Sequence, residues 1–391
     1  FTVDLILDGP NPVLTRNLTF VRIVSKSWAL KNRSENPQDF KAKEDTFASR
    51  NANGTGPFKI TSWTPDQKIT MVANKDWWDK PKGNITEVTY LPIKQDATRV
   101  AALLSGALDL LTDLPPQDVA KLKADPRLKV IDGPENRTVF FALDLGSDEI
   151  KGSSVKGKNP FKDRRVREAM SLAIDREAIK RSLMRNLSIP AALMVAPVAY
   201  GWSQELDTVA KPDLARAKQL MTDAGYADGF ETPLACPNDR YVNDEEICQA
   251  VVPMWARIGI KAKLTTQPMS QHSAALQRFE LPLYMYGWGV TTFDAQYTLQ
   301  DIVHTKTSGA DGKGNYSKVS DARIDALVQQ MKVETDVPKR LALMQEALKR
   351  TRDEFLFIPI HHQVRPWAMK AGVTIPHSAN DAPQAKWATM K

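Results

Sequence analysis

Cysteine and histidine are scarce in this chain of 391 residues, which contains two cysteines and five histidines. Cys236 and Cys248 are too few for a disulfide scaffold, and they lack the partner residues of a zinc site. His361 and His362 are adjacent, and neighbours on a strand point to opposite faces, so they cannot bind one ion together. We therefore expect neither a metal nor a cofactor.

Long hydrophobic runs and an excess of one charge are also missing. No segment approaches the ~20 apolar residues that cross a bilayer, and the richest, residues 100–111, predicts a buried helix. The formal charge of +7 is modest for this length. Basic residues are scattered among acidic ones without a clustered basic stripe, so nucleic acid is not an expected partner.

Common catalytic motifs are absent as well. The sequence has no G-x-x-x-x-G-K-[ST] loop, no G-x-G-x-x-G fingerprint, no G-x-S-x-G elbow and no H-E-x-x-H pair. We predict that the chain is not an enzyme. One alternative is a hydrolase that uses scattered carboxylates, such as Asp244, Glu245 and Asp294. Another is a structural or chaperone-like shell without a selective pocket.

What the sequence does contain is a run of helical and strand patterns, typical of an α/β protein. Apolar residues at helical spacing predict helices over residues 96–105, 213–224, 243–258, 320–333 and 336–352. Asn243 is the expected N-cap of the third of these helices. The predicted strands are residues 69–73, 86–93, 138–145, 260–267, 281–288 and 355–361. The glycine-containing polar stretches 146–159 and 308–314 predict loops.

The most informative segment is residues 159–176, NPFKDRRVREAMSLAIDR. Asp163 is a plausible N-cap, and apolar residues recur from Val166 to Leu183 at the spacing of one buried helical stripe. From the pattern alone, Arg164, Arg165 and Arg167 are expected to lie on the solvated outer face.

This segment resembles the PF-x-D-x-R-V-R-x-A-x-x-x-A-I-D-R signature of the extracytoplasmic solute-binding proteins of the dipeptide, oligopeptide and nickel class, family 5. Further landmarks follow in that family's order along nearly the whole chain. They are Gly54–Phe58, Asn74 with Trp77 and Trp78, Arg99 with Ser105–Asp109, Ala224–Tyr226 with Gly229 and Phe230, Arg240 and Tyr241, Ile258–Ile260, Trp288, Asn315–Ser317 and Phe357–Pro359.

The resemblance implies a two-lobed α/β periplasmic-binding-protein fold, type II and similar to the large cluster C. Residues 1–50 would be a remnant of a small subdomain of lobe I, 51–142 lobe I, 143–365 lobe II, and 366–391 the return to lobe I. The hinges would lie near Asp144 and Arg365. Because the chain opens at Phe1 without a signal sequence, and residues 2–26 resemble a segment well inside the family, we expect an N-terminal part to be missing.

The function that this resemblance implies is capture of a small polar solute, peptide-like or other, between the lobes. The solute would be delivered to an ABC importer in the membrane without chemical change. The expected location is the periplasm, and the expected state is a monomer.

Two stretches supply the candidate ligand-binding residues. Arg240, just before a predicted helix, could take a carboxylate with two hydrogen bonds, as an arginine in this place resembles the peptide C-terminus anchor of dipeptide-binding relatives. Tyr241 is its neighbour. Trp288 ends an aromatic-rich strand and could stack on a ligand. The other candidates are Thr291, Asp294 and Tyr316.

Thr291 marks a departure from the family pattern. Peptide binders carry an aspartate three residues after the tryptophan to pair with the ligand's α-ammonium, and this chain has a neutral hydroxyl there. Asp294 could substitute only if the loop has a different shape. Blocked peptides, opines, glycosides and other polar metabolites therefore stay open as ligands.

The two cysteines leave two alternatives. Cys236 ends an apolar run and Cys248 lies near a helix start, so a bridge across this short loop is sterically possible, and it would stabilise the loop by ~2 to 3 kcal/mol in an oxidising compartment. Alternatively, both are unpaired thiols.

Overall fold

The computed structural model describes residues 2–39 and 44–391. Phe1 and residues 40–43 of the predicted subdomain remnant lie outside the described residues. The chain forms two compact units. The large unit holds the chain up to Leu14 together with Gly133–Arg365, and the small unit holds Thr15–Asp132 and Pro366–Lys391. The lobe limits given by the resemblance stay a prediction. The chain passes from the small unit to the large unit between Asp132 and Gly133, before the predicted limit at residue 142.

The helices and strands of the described residues alternate along the chain. The α-helices are α1 (Leu14–Leu18), α2 (Lys26–Lys31), α3 (Phe47–Arg50), α4 (Asp96–Leu104), α5 (Val119–Lys123), α6 (Arg164–Leu172), α7 (Arg176–Ser182), α8 (Leu214–Asp223), α9 (Asp244–Ala256), α10 (Met269–Gln277), α11 (Ala295–Thr298), α12 (Ala322–Met331) and α13 (Val337–Asp353). A π-helical turn, Leu299–Val303, follows α11. The strands are β1 (Phe58–Thr64), β2 (Lys68–Ala73), β3 (Glu87–Tyr90), β4 (Leu110–Leu111), β5 (Leu128–Leu143), β6 (Ser188–Pro190), β7 (Phe230–Pro237), β8 (Ile260–Gln267), β9 (Leu283–Gly289), β10 (Phe357–Lys370), β11 (Val373–Thr374) and β12 (Thr389–Met390).

The central sheet of the large unit has the strand order β10-β5-β9-β7-β8, with β6 beside β10. Strand β7 is parallel to both β8 and β9, whereas β5 runs antiparallel to β9. Parallel strands need helical crossovers, and α9 and α10 supply them. The predicted strand 260–267 has the observed bounds of β8. Strand β7 was not predicted, because Pro233 and Pro237 argue against a strand.

Alternate side chains of the central strands enter two separate cores on the two faces of the sheet. Phe141 of β5 and Met285 of β9 belong to the core under α6, α8 and α9. Phe140 and Tyr284 belong to the core under α12 and α13. This period of two is what a strand buried on both faces requires.

The signature segment forms two helices, not one continuous helix. Asp163 caps α6 by accepting from the Arg165 N–H at 2.8 Å, as predicted. Asp175 then caps α7 by accepting from the Ala178 N–H at 2.8 Å. Because a capping aspartate favours a helix start, the second one divides the predicted helix in two, while Val166, Ile174 and Ile179 still share one core.

The expected surface position of Arg167 is wrong. Its side chain is buried, and its guanidinium donates to the carbonyls of Phe161, Lys162, Glu354 and Phe355 at 2.7–3.1 Å. Burial lowers the pKa of Arg167 to about 10, so it remains charged at neutral pH. This signature arginine therefore fixes the chain before β10 onto α6, a structural role in which main-chain oxygens replace water.

The expected capping role of Asn243 is also wrong. Asn243 has φ +53° and makes no capping hydrogen bond; its side chain donates to the Leu183 carbonyl at 2.8 Å. The next residue, Asp244, accepts from the N–H groups of Arg240 and Tyr241 before the helix and of Glu245 inside it, at 2.9–3.0 Å.

The small unit contains the antiparallel sheet β1-β2-β3, and most of its side chains are exposed. In this unit the C-terminal part of β10 pairs with β4, and Trp367 and Met369 pack with Val373 of β11. The segment around Ala388 packs closely against Gly83. A Cβ at Gly83 would lie 1.9 Å from the Ala388 oxygen, so only glycine is accommodated.

Candidate functional site

Of the six predicted ligand-binding residues, Tyr316 packs on Tyr286 of β9. The other five lie at one edge of the central sheet of the large unit, at or just beyond the ends of β7 and β9. The parallel strands β7, β8 and β9 end there, at Pro237, Gln267 and Gly289. We call this the carboxyl edge. Ligands of α/β sheets commonly bind outside the carboxyl ends of parallel strands, because the connections that follow can present side chains together.

The loop after β7 presents Arg240 to solvent. The Cys236–Cys248 disulfide ties the end of β7 to α9, which resolves the two alternatives for the cysteines. Asp244 is buried and accepts from the N–H groups of Arg240 and Tyr241 at 3.0 and 2.9 Å. Burial raises the pKa of Asp244, and these N–H groups partly oppose the shift. The backbone of the loop is therefore fixed while the Arg240 side chain stays exposed.

The Arg240 guanidinium has no ion pair within the described ranges. Its only recorded contact there is with the ring of Tyr241, whose centroid lies 5.6 Å from the guanidinium carbon. An exposed, uncommitted guanidinium can bind a carboxylate with two parallel hydrogen bonds.

Tyr241 has a different position from the one expected of a ligand contact. It is buried, its hydroxyl donates to the Gly287 carbonyl at 3.3 Å and accepts from the Gly287 N–H at 2.8 Å. A Cβ at Gly287 would lie 2.6 Å from the tyrosine ring, so this close approach needs glycine. Burial raises the pKa of Tyr241 to about 12, and the phenol stays neutral. Tyr241 thus joins the loop after β7 to β9.

Sequence reasoning missed a group of four polar residues, Glu135, Arg137, Gln363 and Arg365, of which Arg137 contacts Tyr241. Glu135 is buried, and it accepts from Arg137 at 2.9 Å and from the Gln363 amide. Arg365 lies 3.6 Å from the same carboxylate. Arg137 sits 5.9 Å from the Tyr241 ring centroid. The available signal was the polar run Glu135–Arg137 at the start of the predicted strand 138–145.

On the other face of the sheet, Trp288 belongs to an aromatic cluster. Its ring stacks on Tyr297 with a centroid distance of 5.3 Å and an interplanar angle of 27°. Tyr286 lies between Trp288 and Tyr316, with centroid distances of 6.5 and 6.4 Å. The Trp288 indole N–H is buried and finds no hydrogen-bond partner in the part of the chain that the structure describes. A buried indole N–H usually has a partner, so this one is suited to a ligand acceptor.

The structure excludes the role considered for Asp294. Its carboxylate is 1% exposed, and the Arg340 guanidinium donates to its two oxygens at 2.8 Å each. The same carboxylate caps α11 by accepting from the Gln296 N–H at 3.1 Å. Thr291 is exposed. Asp294 therefore fixes the segment after β9 and cannot replace a ligand-binding aspartate at position 291.

No group of three or more histidine, cysteine or acidic side chains that could hold a metal ion occurs in residues 2–39 and 44–391. His362 is committed to Asp207 at 2.7 Å and to the Thr138 hydroxyl at 2.9 Å. Within the same described residues, no helix combines the length and the apolar character that spanning a bilayer demands.

The fold is that of the periplasmic binding proteins. The solved periplasmic binding protein DppA from Helicobacter pylori, in complex with the peptide STSA, superposes with a TM-score of 0.81. It is 21% identical, and the match covers 98% of this chain and 71% of that one. The predicted fold class is thereby confirmed.

The family is shown by the sequence match. The family model for bacterial extracellular solute-binding proteins, family 5 Middle, matches residues 1–310, and the chain belongs to this family. Heme-binding protein A of Haemophilus influenzae is 25% identical over 82% of this chain and 56% of its own length. The glutathione-binding protein GsiB of Salmonella paratyphi A is 23% identical over 78% of this chain and 58% of its own length. The chain thus spans less than two thirds of these relatives.

Proposed function

We propose that this protein binds a small polar solute that carries a carboxylate and delivers it, chemically unchanged, to an ABC importer in the membrane. Binding would take place outside the cytoplasm, in the periplasm, and the protein would act as a monomer. The observation that carries the proposal is the exposed Arg240 guanidinium, held on a disulfide-fixed loop at the carboxyl edge.

The chemical class of the ligand follows from the charges at this edge. Arg240 supplies a cation without an ion-pair partner among the described residues, and Trp288 supplies an aromatic face with a free N–H. Related proteins are named for peptides, heme and glutathione, all of which carry carboxylates, so a carboxylate anchor is compatible with several cargoes. Peptides, blocked peptides and opines are the first candidates, and glycosides lacking an acid are not favoured.

The hydrolase alternative loses two of its three named carboxylates, and the third, Glu245, accepts from the Gln249 amide at 3.1 Å. Asp244 is committed to main-chain N–H groups, and Asp294 is committed to Arg340. Neither carboxylate can serve as a general base while it holds the backbone in this way.

The test is thermal unfolding with a panel of peptides, N-acetylated peptides, opines and sugars. A bound compound at 100 times its Kd should stabilise the fold by about 2.7 kcal/mol. Arg240→Ala should weaken binding of that compound by about tenfold to a hundredfold, the range expected for a lost charge-assisted hydrogen bond. Calorimetric titration of both proteins measures the change.

Arg257→Ala is the matched control, because Arg257 is also exposed but lies at the opposite end of α9. It should leave the Kd unchanged. The proposal is wrong if no panel compound stabilises the wild-type chain, as a shell without a selective pocket would behave. Equal affinity of wild type and Arg240→Ala would also remove its basis.

A further inference from the structure

A second guanidinium lies at the carboxyl edge, on the same face of the sheet as Tyr241. Arg137 of β5 is the cross-strand partner of Gly289, the last residue of β9. Residues directly opposite on antiparallel strands present their side chains to one face. A Cβ at Gly289 would lie 3.9 Å from the Nη2 atom of Arg137. The Arg137 guanidinium therefore lies over the end of β9, where glycine leaves it uncovered.

The ring of Tyr241 brings this guanidinium close to that of Arg240. The guanidinium carbon of Arg137 is 5.9 Å from the ring centroid, and that of Arg240 is 5.6 Å from the same point. The two carbons are therefore no farther apart than the sum of these distances, 11.5 Å. Like charges at this range repel each other, so an anion that reaches both is favoured.

The hydrogen-bond donors of Arg137 are only partly used. Its Nε atom donates to Glu135 at 2.9 Å. Its two Nη atoms make no hydrogen bond within residues 2–39 and 44–391, and the side chain is 18% exposed, so they can be reached from solvent. The terminal N–H groups of a guanidinium form a fork that holds a carboxylate with two parallel hydrogen bonds. Arg137 can thus keep its bond to Glu135 and still bind an acid.

Glu135 does not supply one negative charge for each neighbouring cation. Its buried carboxylate lies 2.9 Å from Arg137 and 3.6 Å from Arg365, and it also accepts from the Gln363 amide. One carboxylate therefore serves two guanidiniums. The remaining positive charge attracts a further anion.

The two aspartates of the loop after β7 are committed to the backbone. Asp239 accepts from the Met269 N–H at 2.7 Å. Asp244 accepts from the N–H groups of Arg240 and Tyr241 at 3.0 and 2.9 Å. Among the described residues, no ion pair joins either aspartate to a guanidinium of this edge. Both guanidiniums therefore keep donors that the loop does not occupy.

We propose that Arg137 binds a second acid group of the ligand, and that the solute is a diacid with one carboxylate on Arg240 and the other on Arg137. This inference rests on the proposed function and narrows its substrate class from one carboxylate to two. The separation of the two guanidiniums selects the length of the diacid, because only a ligand of matching length engages both forks.

The first test is calorimetric titration of the full chain with succinate, glutarate, adipate and suberate, which differ only in the spacing of their two acids. The diacid that binds most tightly is then compared with its monoamide, which has the same size and one acid fewer. We expect the wild type to bind the diacid about tenfold to a hundredfold more tightly than the monoamide. Arg137→Gln should bind the two compounds equally, whereas the control Arg257→Gln should keep the preference.

The second test separates ligand binding from neutralisation of Glu135. Arg137→Gln removes one donor from a buried carboxylate, so its Tm should fall. The double variant Glu135→Gln/Arg137→Gln removes that carboxylate as well and should recover Tm, but it should still bind the diacid and the monoamide equally. A preference for the diacid that returns in the double variant would show that Arg137 acts only through Glu135, and the proposal would be wrong.

The outcomes also separate this proposal from the proposed function. Equal binding of the diacid and the monoamide by the wild type, or a preference that survives in Arg137→Gln, overturns the second acid site. If binding still depends on Arg240 in that case, the proposed function stands. If the preference depends on Arg137 but Arg240→Ala changes nothing, the proposed function loses its basis and the Arg137 site stands alone. If neither a diacid nor any panel compound binds, both are wrong.

Discussion

Two connections at the carboxyl edge are each held in place by a buried aspartate, but the two aspartates have different partners. The loop after β7 is held by buried Asp244, which accepts only main-chain N–H groups, and by a disulfide. The segment after β9 is held by buried Asp294, which accepts from Arg340. One acid thus stabilises a backbone turn directly, and the other joins its segment to a distant helix.

One of the two connections also carries a charge that the fold does not use. Arg240 follows β7, is exposed and has no ion-pair partner among the described residues. The comparison suggests a division of roles: the buried acids hold the backbone, whereas the exposed arginine is available to a ligand.

The largest expected effect concerns the Asp294–Arg340 pair. Arg340→Ala should destabilise the fold by about 3–5 kcal/mol, because it leaves a buried carboxylate uncompensated. It also removes the bonds from Arg340 to the Met331 carbonyl and to Gln296. Urea unfolding followed by circular dichroism measures the change.

Arg278→Ala is the control for this pair, since the Arg278–Glu280 ion pair is exposed on both sides. Its effect should stay within ~0.5 kcal/mol. If Arg340→Ala is as mild as the control, Asp294 does not hold the segment after β9, and the contrast between the two connections disappears.

The second effect concerns the disulfide, which belongs to one connection only. The double variant Cys236→Ala/Cys248→Ala lacks the disulfide, and its free energy of unfolding should be lower by about 3 kcal/mol. This is the magnitude expected for a disulfide that closes a short loop. We also expect faster hydrogen exchange at residues 238–243 without a change at 290–301. Thermal unfolding and amide exchange, with and without reductant, test both points. Equal loosening of the two segments would show that they are not independent.

Part of the large unit could be predicted from the sequence, because local patterns determine it. The helix starts at Asp163 and Asp213 follow from capping residues, and the strand at residues 260–267 follows from alternation. The family signature added the order of the elements.

Roles that depend on tertiary contacts were not predictable in this way. Arg167 has the helical position of a surface residue, and only the approach of residues 354–355 turns it into a buried donor. Asp294 and Arg340 are 46 residues apart, and no local pattern connects them.

The smallest expected effect concerns the residue that joins the two connections. Tyr241→Phe removes a hydroxyl that donates to the Gly287 carbonyl and accepts from the Gly287 N–H in β9. The free energy of unfolding should therefore fall by about 1 kcal/mol. Tyr297→Phe is the matched control, because its hydroxyl has no partner among the described residues, and it should change stability by less than ~0.5 kcal/mol. If β9 responds to the loop after β7 through this hydroxyl, Tyr241→Phe will also shift the Trp288 indole N–H resonance. If both the resonance and the stability are unchanged, the Arg240 loop and the aromatic cluster are not coupled through Tyr241. A ligand could then bind to either one without the other.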